Sequence, residues 1–353
     1  MGAGDSETAC QVTTWVPKDK EGTNAMQEGW QRRHAHLNLD RATLGAMLAP
    51  VTAHHAIIAA EPLSGGLANS NYRVTLAGLA EPLVARVFTR DAAACAKEVA
   101  LWRLAHGRVP MPEILYADEA GALMGRPYLV ARWVEGVKLD DLLRQGTADD
   151  MRGAGAAVGA TLPLLGGYTF PQAGFFAPDL TIAEPLGDPA EACLSYVRAA
   201  LAGGQPVAQL GEDLARRLAA LVAENESLLQ AVDATPRLTH CDYKAQNLLV
   251  RESAGQWQTA AVLDWEFAAA TSPLFDLGNL LRYSDRLPPA FEQGVIAGYT
   301  GNGGNLPPAW KRVIRLMDLV NLLTFLDTPK TGDPMIAEVV GLARATVEQW
   351  ESL

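Results

Sequence analysis

Two short stretches of the chain carry the residue types that phosphoryl transfer needs. The first is His240-Cys241-Asp242-Tyr243-Lys244-Ala245-Gln246-Asn247, and the second is Val262-Leu263-Asp264-Trp265-Glu266. A carboxylate, a carboxamide five residues on and a second carboxylate behind an apolar run divide the labour of such a reaction. Asp242 can accept the proton of an attacking hydroxyl, and Asn247 and Asp264 can hold magnesium against nucleotide phosphates. The H-x-D-x-x-x-x-N spacing puts Asp242 and Asn247 on one tight loop, and Leu248-Leu249-Val250 reads as the strand leaving it. A solvated turn with a stray Asp and Asn is the plain alternative. The second carboxylate motif, at a suitable remove, weighs against it.

The elements that must position these groups follow from hydrophobic periodicity. Leu37 to Leu48 has helical spacing, and short strands follow at Ile57–Pro62, Tyr72–Leu76 and Leu83–Phe88. A helix fits Asp91 to His106, with further strands at Glu113–Tyr116 and Tyr128–Trp133. After Glu135-Gly136 the texture turns helical, over 139–144, 148–165, 189–201, 211–231, 276–283, 289–299 and 308–326. Strand signals return only around Leu248–Val250 and Ala260–Leu263, beside the reactive residues. Gly203-Gly204 and Gly301-Asn302-Gly303-Gly304 read as loops. Asp276 is placed to cap a helix through backbone N–H groups. Asp318 and Asn321, three apart, can share one helical face, either solvated or turned to a substrate.

His-x-Asp-x-x-x-x-Asn followed by hydrophobic-Asp-Trp-Glu resembles the aminoglycoside phosphotransferase and choline kinase-like enzymes, relatives of the protein kinases. The resemblance runs from about Ile57 to about Asp327, and Cys241 departs from it by standing where the family usually carries Gly. It implies an α+β, two-lobed protein-kinase-like fold: a small antiparallel-sheet N-lobe with one helix, and a larger, mostly helical C-lobe. The expected organisation is an N-terminal extension over 1–35, loosely packed or flexible, then a nucleotide-binding lobe over 36–134 with its preceding helix. A catalytic and substrate-binding lobe follows over 135–353.

The resemblance also implies ATP, or another nucleoside triphosphate, with Mg2+ as cofactors, and it distributes roles. Asp242 is the catalytic base, His240 braces its loop, and Lys244 matches a phosphate-contacting lysine of serine/threonine protein kinases. Asn247 and Asp264 are the metal ligands, and Asp276 braces the catalytic loop. Ser64-Gly65-Gly66-Leu67-Ala68-Asn69-Ser70-Asn71 is no Walker A loop, for it lacks Gly-Lys-Ser/Thr and opens no helix. Between the first two strands of a kinase-like lobe it covers the phosphates, with Gly66 allowing close backbone approach and Asn69 or Ser70 donating to oxygens. The third strand carries Arg86 where Lys is usual. A bidentate guanidinium can keep that chemistry, paired with Glu98 on the next helix. Adenine is expected to use the Arg132 carbonyl and the Val134 N–H at the link between lobes.

Composition narrows the setting. At 353 residues with 49% hydrophobic content the chain suits two lobes of a globular protein, and no apolar run reaches membrane-spanning length. The start of the chain has no basic segment followed by an apolar block, which leaves the cytoplasm as the default. Cys10, Cys95, Cys193 and Cys241 are too scattered for a zinc site or a disulfide framework. The net charge of −11 is uneven: residues 137–353 hold 26 acids against 16 bases. That balance disfavours nucleic acid and favours a cationic or neutral small molecule.

The leading expectation is a kinase of a small-molecule hydroxyl, with an aminoglycoside-like or other cationic acceptor. Macrolide, choline, homoserine and sugar-like acceptors stay open, as does the oligomeric state. A protein kinase is disfavoured because Trp-Glu follows Asp264 where Phe-Gly would stand. A catalytically silent nucleotide-binding module draws its only support from Arg86.

Overall fold

Asp40 marks the point where the described chain becomes regular. Its Oδ1 accepts from the Thr43 N–H at 2.7 Å and caps α1 (Arg41–Thr52), which is why the helix begins there and not at Leu37. The computed structural model describes residues 37–53, 55–63, 69–327 and 333–353. The expected extension over 1–35, Cys10 and Gly66 lie outside the described residues.

The strands β1 (Ile57–Pro62), β2 (Ser70–Leu76), β3 (Leu83–Val87), β4 (Ile114–Asp118) and β5 (Tyr128–Arg132) form an antiparallel sheet in the order β1-β2-β3-β5-β4. Alternation decides its two faces. Tyr72, Val74, Ala85, Val87, Tyr128 and Val130 pack with Leu44, Met47 and Leu48 of α1. On the other face Phe88, Leu129 and Ala131 meet Ala94 and Cys95 of α2 (Ala93–Ala105). Asn71, Arg73, Val84 and Arg86 share that second face, with Asn71 opposite Arg86 and Arg73 opposite Val84.

Trp133–Gly136 links this lobe to the rest. Beyond it come β6 (Val137–Lys138), α3 (Leu139–Gln145), α4 (Ala148–Leu165), β7 (Gly174–Phe176) and β8 (Ile182–Pro185). They are followed by α5 (Pro189–Leu201), α6 (Gly204–Leu210), α7 (Glu212–Asn225), β9 (Arg237–Thr239), β10 (Leu248–Ser253), β11 (Gln256–Val262) and β12 (Ala269–Thr271). The chain ends in α8 (Leu274–Leu281), α9 (Pro289–Gly301), α10 (Trp310–Leu326) and α11 (Pro334–Glu348). Two small sheets, β11-β10-β6 and β8-β7-β12-β9, sit beside this helical core. Helices α4 and α9 approach so closely that a Cβ on Gly159 or Gly298 would meet a facing carbonyl oxygen at 2.2 or 2.0 Å.

The departures from periodicity have local causes. The helix expected over 211–231 tightens into a 3₁₀ turn at Glu226–Ala231. Strands β7, β8, β9 and β12 are three or four residues long, too short for an alternating signal. The Gly203-Gly204 loop signal opens α6, since Gly204 takes φ +78° and starts the helix. Helix α11 was unforeseen, although Asp333 caps it and Pro334 occupies its first turn.

Candidate active site

The loop His240–Asn247 joins β9 to β10 and is tied down from several sides. Asp276 of α8, 1% exposed, accepts from the His240 N–H at 2.7 Å and the Cys241 N–H at 2.8 Å. The buried Tyr243 hydroxyl donates to the Val158 carbonyl of α4 at 2.9 Å, and Gln246 Nε2 donates to Asp140 Oδ1 of α3 at 3.0 Å. Burial pushes the Asp276 carboxyl up to about 7, against the pull of its two N–H donors. The helix-cap expectation for Asp276 is corrected: α8 begins at Leu274 without a side-chain cap, and both Asp276 oxygens serve the loop. Cys241 sits at φ +63°, where an L-residue costs about 1–2 kcal/mol, a physical reason for Gly at this place in similar chains. Burial and the neighbouring Asp276 charge push its thiol well above the ordinary value, so it stays protonated.

Within the loop, Asp242 Oδ2 accepts from Asn247 Nδ2 at 2.8 Å and from Lys244 Nζ at 3.0 Å. Asn247 Nδ2 also reaches the Asp242 carbonyl at 2.9 Å, which leaves the Asn247 carbonyl oxygen for another partner. His240 Nδ1 accepts from the Asp242 N–H at 3.3 Å, so its Nε2–H is the donor to the Leu263 carbonyl at 3.0 Å. Burial lowers its pKa, and the ring stays neutral as a strut between the two motifs. Exposure separates these residues: His240 is wholly buried, whereas Asp242, Lys244 and Asp264 keep 14, 18 and 28% of their side chains open.

Asp264 follows β11 at φ +68°. Its carboxylate accepts from Arg86 NH2 at 2.6 Å, while Arg86 NH1 lies 3.4 Å from Glu98 of α2. One guanidinium thus joins the sheet lobe to the second motif, across 178 residues of sequence. Burial works against its charge, but the Glu98 and Asp264 carboxylates outweigh that and hold it protonated. Glu266 pairs with Arg90 at 3.2 Å, and Lys97 donates to the Glu266 carbonyl. Burial, then the Asp264 charge, raises Glu266 to about 7. Around the Arg86–Glu98 pair, Asn71 Oδ1, Arg86 Nε and Glu98 Oε2 are buried without a hydrogen-bonding partner among the described residues. Such atoms call for a polar ligand. No cluster of three or more His, Cys, Asp or Glu side chains forms a metal cage among the described residues. One carboxylate and one amide oxygen suit magnesium, which takes few protein ligands and fills its shell with phosphate oxygens and water.

Two residues expected to donate to phosphate are buried, each with its oxygen accepting from a backbone N–H. Ser70 is 0% exposed and its Oγ accepts from the Leu37 N–H at 2.9 Å, which anchors the segment before α1. Asn69, 4% exposed, accepts from the Thr89 N–H at 3.4 Å, bracing the strand ends. Arg132 closes β5, and its side chain pairs with Glu113 on the exposed side. Val134 lies half-buried in the link. Asp318 is 2% exposed, so the solvated-face reading fails. It grips Arg282 through Nε at 2.8 Å and NH2 at 2.5 Å, Arg282 NH2 reaches Asn279 at 2.7 Å, and Asn279 Nδ2 reaches the Cys241 carbonyl at 3.4 Å. Asn321 donates to Asn279 and Asp318. Arg282 drew no notice in the sequence because its partner stands 36 residues away.

Comparison with known proteins gives this geometry a context. Curated proteins return no match. Among solved structures, a thermostable variant of the aminoglycoside phosphotransferase APH(4)-Ia, in ternary complex with AMP-PNP and hygromycin B, is similar at TM-score 0.65 and 18% identity. The alignment covers 88% of this chain and 100% of that one. A variant of aminoglycoside 2'-phosphotransferase-IIIa in complex with GDP is similar at TM-score 0.67 and 18% identity, over 89% and 99% of the two chains. The GDP and kanamycin complex of APH(2")-IIIa gives 0.61 and 19%, over 87% and 97%. At these identities the likeness shows the fold: two lobes, with an antiparallel sheet in the first and helices dominating the second. The model of the phosphotransferase enzyme family matches residues 59–313, which take in the sheet, the link and both reactive motifs, and the chain belongs to that family.

Proposed function

We propose that the protein transfers the γ-phosphate of ATP, or of another nucleoside triphosphate, to a hydroxyl of a small molecule. The observation that carries this is the convergence of Asp242, Asn247 and Asp264 with the Arg86–Glu98 pair at one cleft. The nucleotide lies between a lobe of residues 36–134 and one of 135–353. Asp242 orients the acceptor hydroxyl and takes its proton late in a loose transition state. Lys244 turns from Asp242 towards the transferring group. Arg86, held by Glu98, grips phosphate oxygens with two donors, and the Arg132 carbonyl and Val134 N–H meet the base edge. Magnesium, held by Asn247 and Asp264, would neutralise charge as the β–γ bond breaks.

The similar enzymes with hygromycin B or kanamycin support an aminoglycoside-like or other cationic acceptor here. The cytoplasm suits this reading, as the compartment that supplies nucleoside triphosphate and keeps Cys95, Cys193 and Cys241 as free thiols. A catalytically silent module is disfavoured, because a module freed from catalysis has no need of Asp242, Asn247 and Asp264 together.

The test is ADP release across hydroxylated amines, sugars and macrolides, with calorimetric nucleotide binding alongside. Asp242→Ala is expected to lose turnover while keeping magnesium–ATP affinity within about tenfold, because the base touches the acceptor and not the nucleotide. Asp264→Ala is expected to lose both. Turnover by Asp242→Ala above a few per cent of the unaltered protein, or unchanged magnesium–ATP affinity in Asp264→Ala, would overturn the assignments.

A further inference from the structure

On the cleft face of the sheet, the Arg73 guanidinium of β2 lies 4.8 Å from the centroid of the Trp133 ring, just past β5. Parity places both residues on this face. Arg73 shares it with Asn71 and Arg86, and Trp133 continues the series Leu129 and Ala131. The backbone N–H of Trp133 donates to the Pro82 carbonyl at 3.3 Å, which fixes the main chain at the mouth of the link. Arg73 Nε and Trp133 Nε1 are buried without a hydrogen-bonding partner among the described residues. The nearest acid, Glu61 of β1, stands 3.8 Å from Arg73 and is itself mostly exposed, so it makes a weak hold. Yet 35% of the Arg73 side chain stays open, so the outer face of the guanidinium can be reached.

Register fixes where this stack lies relative to the phosphate end. Arg86 faces Asn71, whereas Arg73 faces Val84, two residues nearer the link. At about 3.3 Å per residue the Arg73 row is roughly 7 Å along the sheet from the Arg86 row. A nucleotide whose phosphates meet Arg86 extends its base along this face towards Trp133. Val84, the small aliphatic opposite Arg73 in the same row, adds little height to this face.

We propose that Arg73, backed by Trp133, is the wall on which the nucleobase stacks. The inference rests on the phosphotransfer reading and adds two residues to its nucleotide site. A planar guanidinium stacks on a base as it does on an aromatic ring, and the indole behind it fixes its plane.

The experiment compares ATP with inorganic tripolyphosphate, which has the phosphates and no base. Binding is measured calorimetrically, with thermal stability recorded in parallel. Arg73→Ala and Trp133→Leu are expected to weaken ATP about tenfold or more and to leave tripolyphosphate within twofold. Arg73→Lys, which keeps the charge and loses the plane, should fall between. Should Trp133→Leu fail to fold, Arg73→Ala on the partly open side chain decides alone. ATP affinity unchanged in Arg73→Ala, or lost in equal measure with tripolyphosphate, overturns the wall while leaving the phosphotransfer reading standing. An unaltered protein that binds tripolyphosphate but gains nothing from the base also overturns the wall alone. One that binds neither overturns both.

Discussion

Arg86 is one of the residues that join the two lobes, and its chemistry decides what a substitution does. Its contacts to Glu98 and Asp264 leave from different nitrogens of one rigid fork, an arrangement that a single ammonium cannot reproduce. Arg86→Lys is therefore expected to keep part of the turnover, since the charge survives, and Arg86→Ala to lose most of it. Steady-state rates with saturating nucleotide check this, and equal rates for the two variants would contradict it. Asp264 has the Arg86 guanidinium as its partner. The two carboxylates that flank this arginine, and not its charge alone, hold the arrangement in place.

At the scale of elements, the catalytic loop is held by helices distant in sequence. Asp276 of α8 makes that hold pH-dependent. Its ordinary value is 3.8 and its folded value about 7. Between these the folded protein keeps a proton that the unfolded chain has released, so stability falls as pH rises through the window. Relative to Asp276→Ala, the unaltered protein should lose up to a few kcal/mol of its advantage from about pH 4 to about pH 7, then level off. Chemical denaturation across that range checks the sign, and an advantage that grows with pH would contradict it. The pair between Arg282, just past α8, and Asp318 of α10 offers a second test, both groups being nearly inaccessible. Asp318→Ala strands a buried cation and should cost about 3–5 kcal/mol. Replacing both partners, as Arg282→Met with Asp318→Leu, should recover much of that. A double variant no more stable than the single one would show that the pair carries more than its own charge balance.

For the whole molecule the acidic balance is the governing quantity. On the C-terminal helices the charges near the loop are matched internally: Arg282 with Asp318, Arg286 with Glu338 at 3.9 Å and Arg315 with Asp285 at 4.0 Å. The net −10 of residues 137–353 therefore acts as a diffuse field. Screening at about 0.15 M confines such a field to roughly 8 Å. For a cationic acceptor, kcat/KM should fall as ionic strength rises, with kcat at saturation nearly unchanged. Salt-independent kcat/KM for an amine-bearing acceptor would remove the field from the account.

Local order in this chain was legible because it is written locally. The spacing of Asp242 and Asn247, the alternation over Tyr72–Leu76 and the helical periods of α4 and α5 each sit within a few turns of backbone, and periodicity reads them directly. The proposed reactive residues were legible too, since the proposal rests on their types and order. What escaped were facts that exist only when distant segments meet. The Leu37 N–H that donates to Ser70 stands 33 residues before it, and Asp318 looked solvated until Arg282 reached it. The second partner of Arg86 stands 178 residues away, and the stack of Arg73 on Trp133 needs β2, β3 and β5 in register. Sequence alone determined which groups could transfer a phosphoryl group. Tertiary packing decided which of them face the cleft and which are spent holding it, because burial and hydrogen-bond satisfaction are properties of the folded chain.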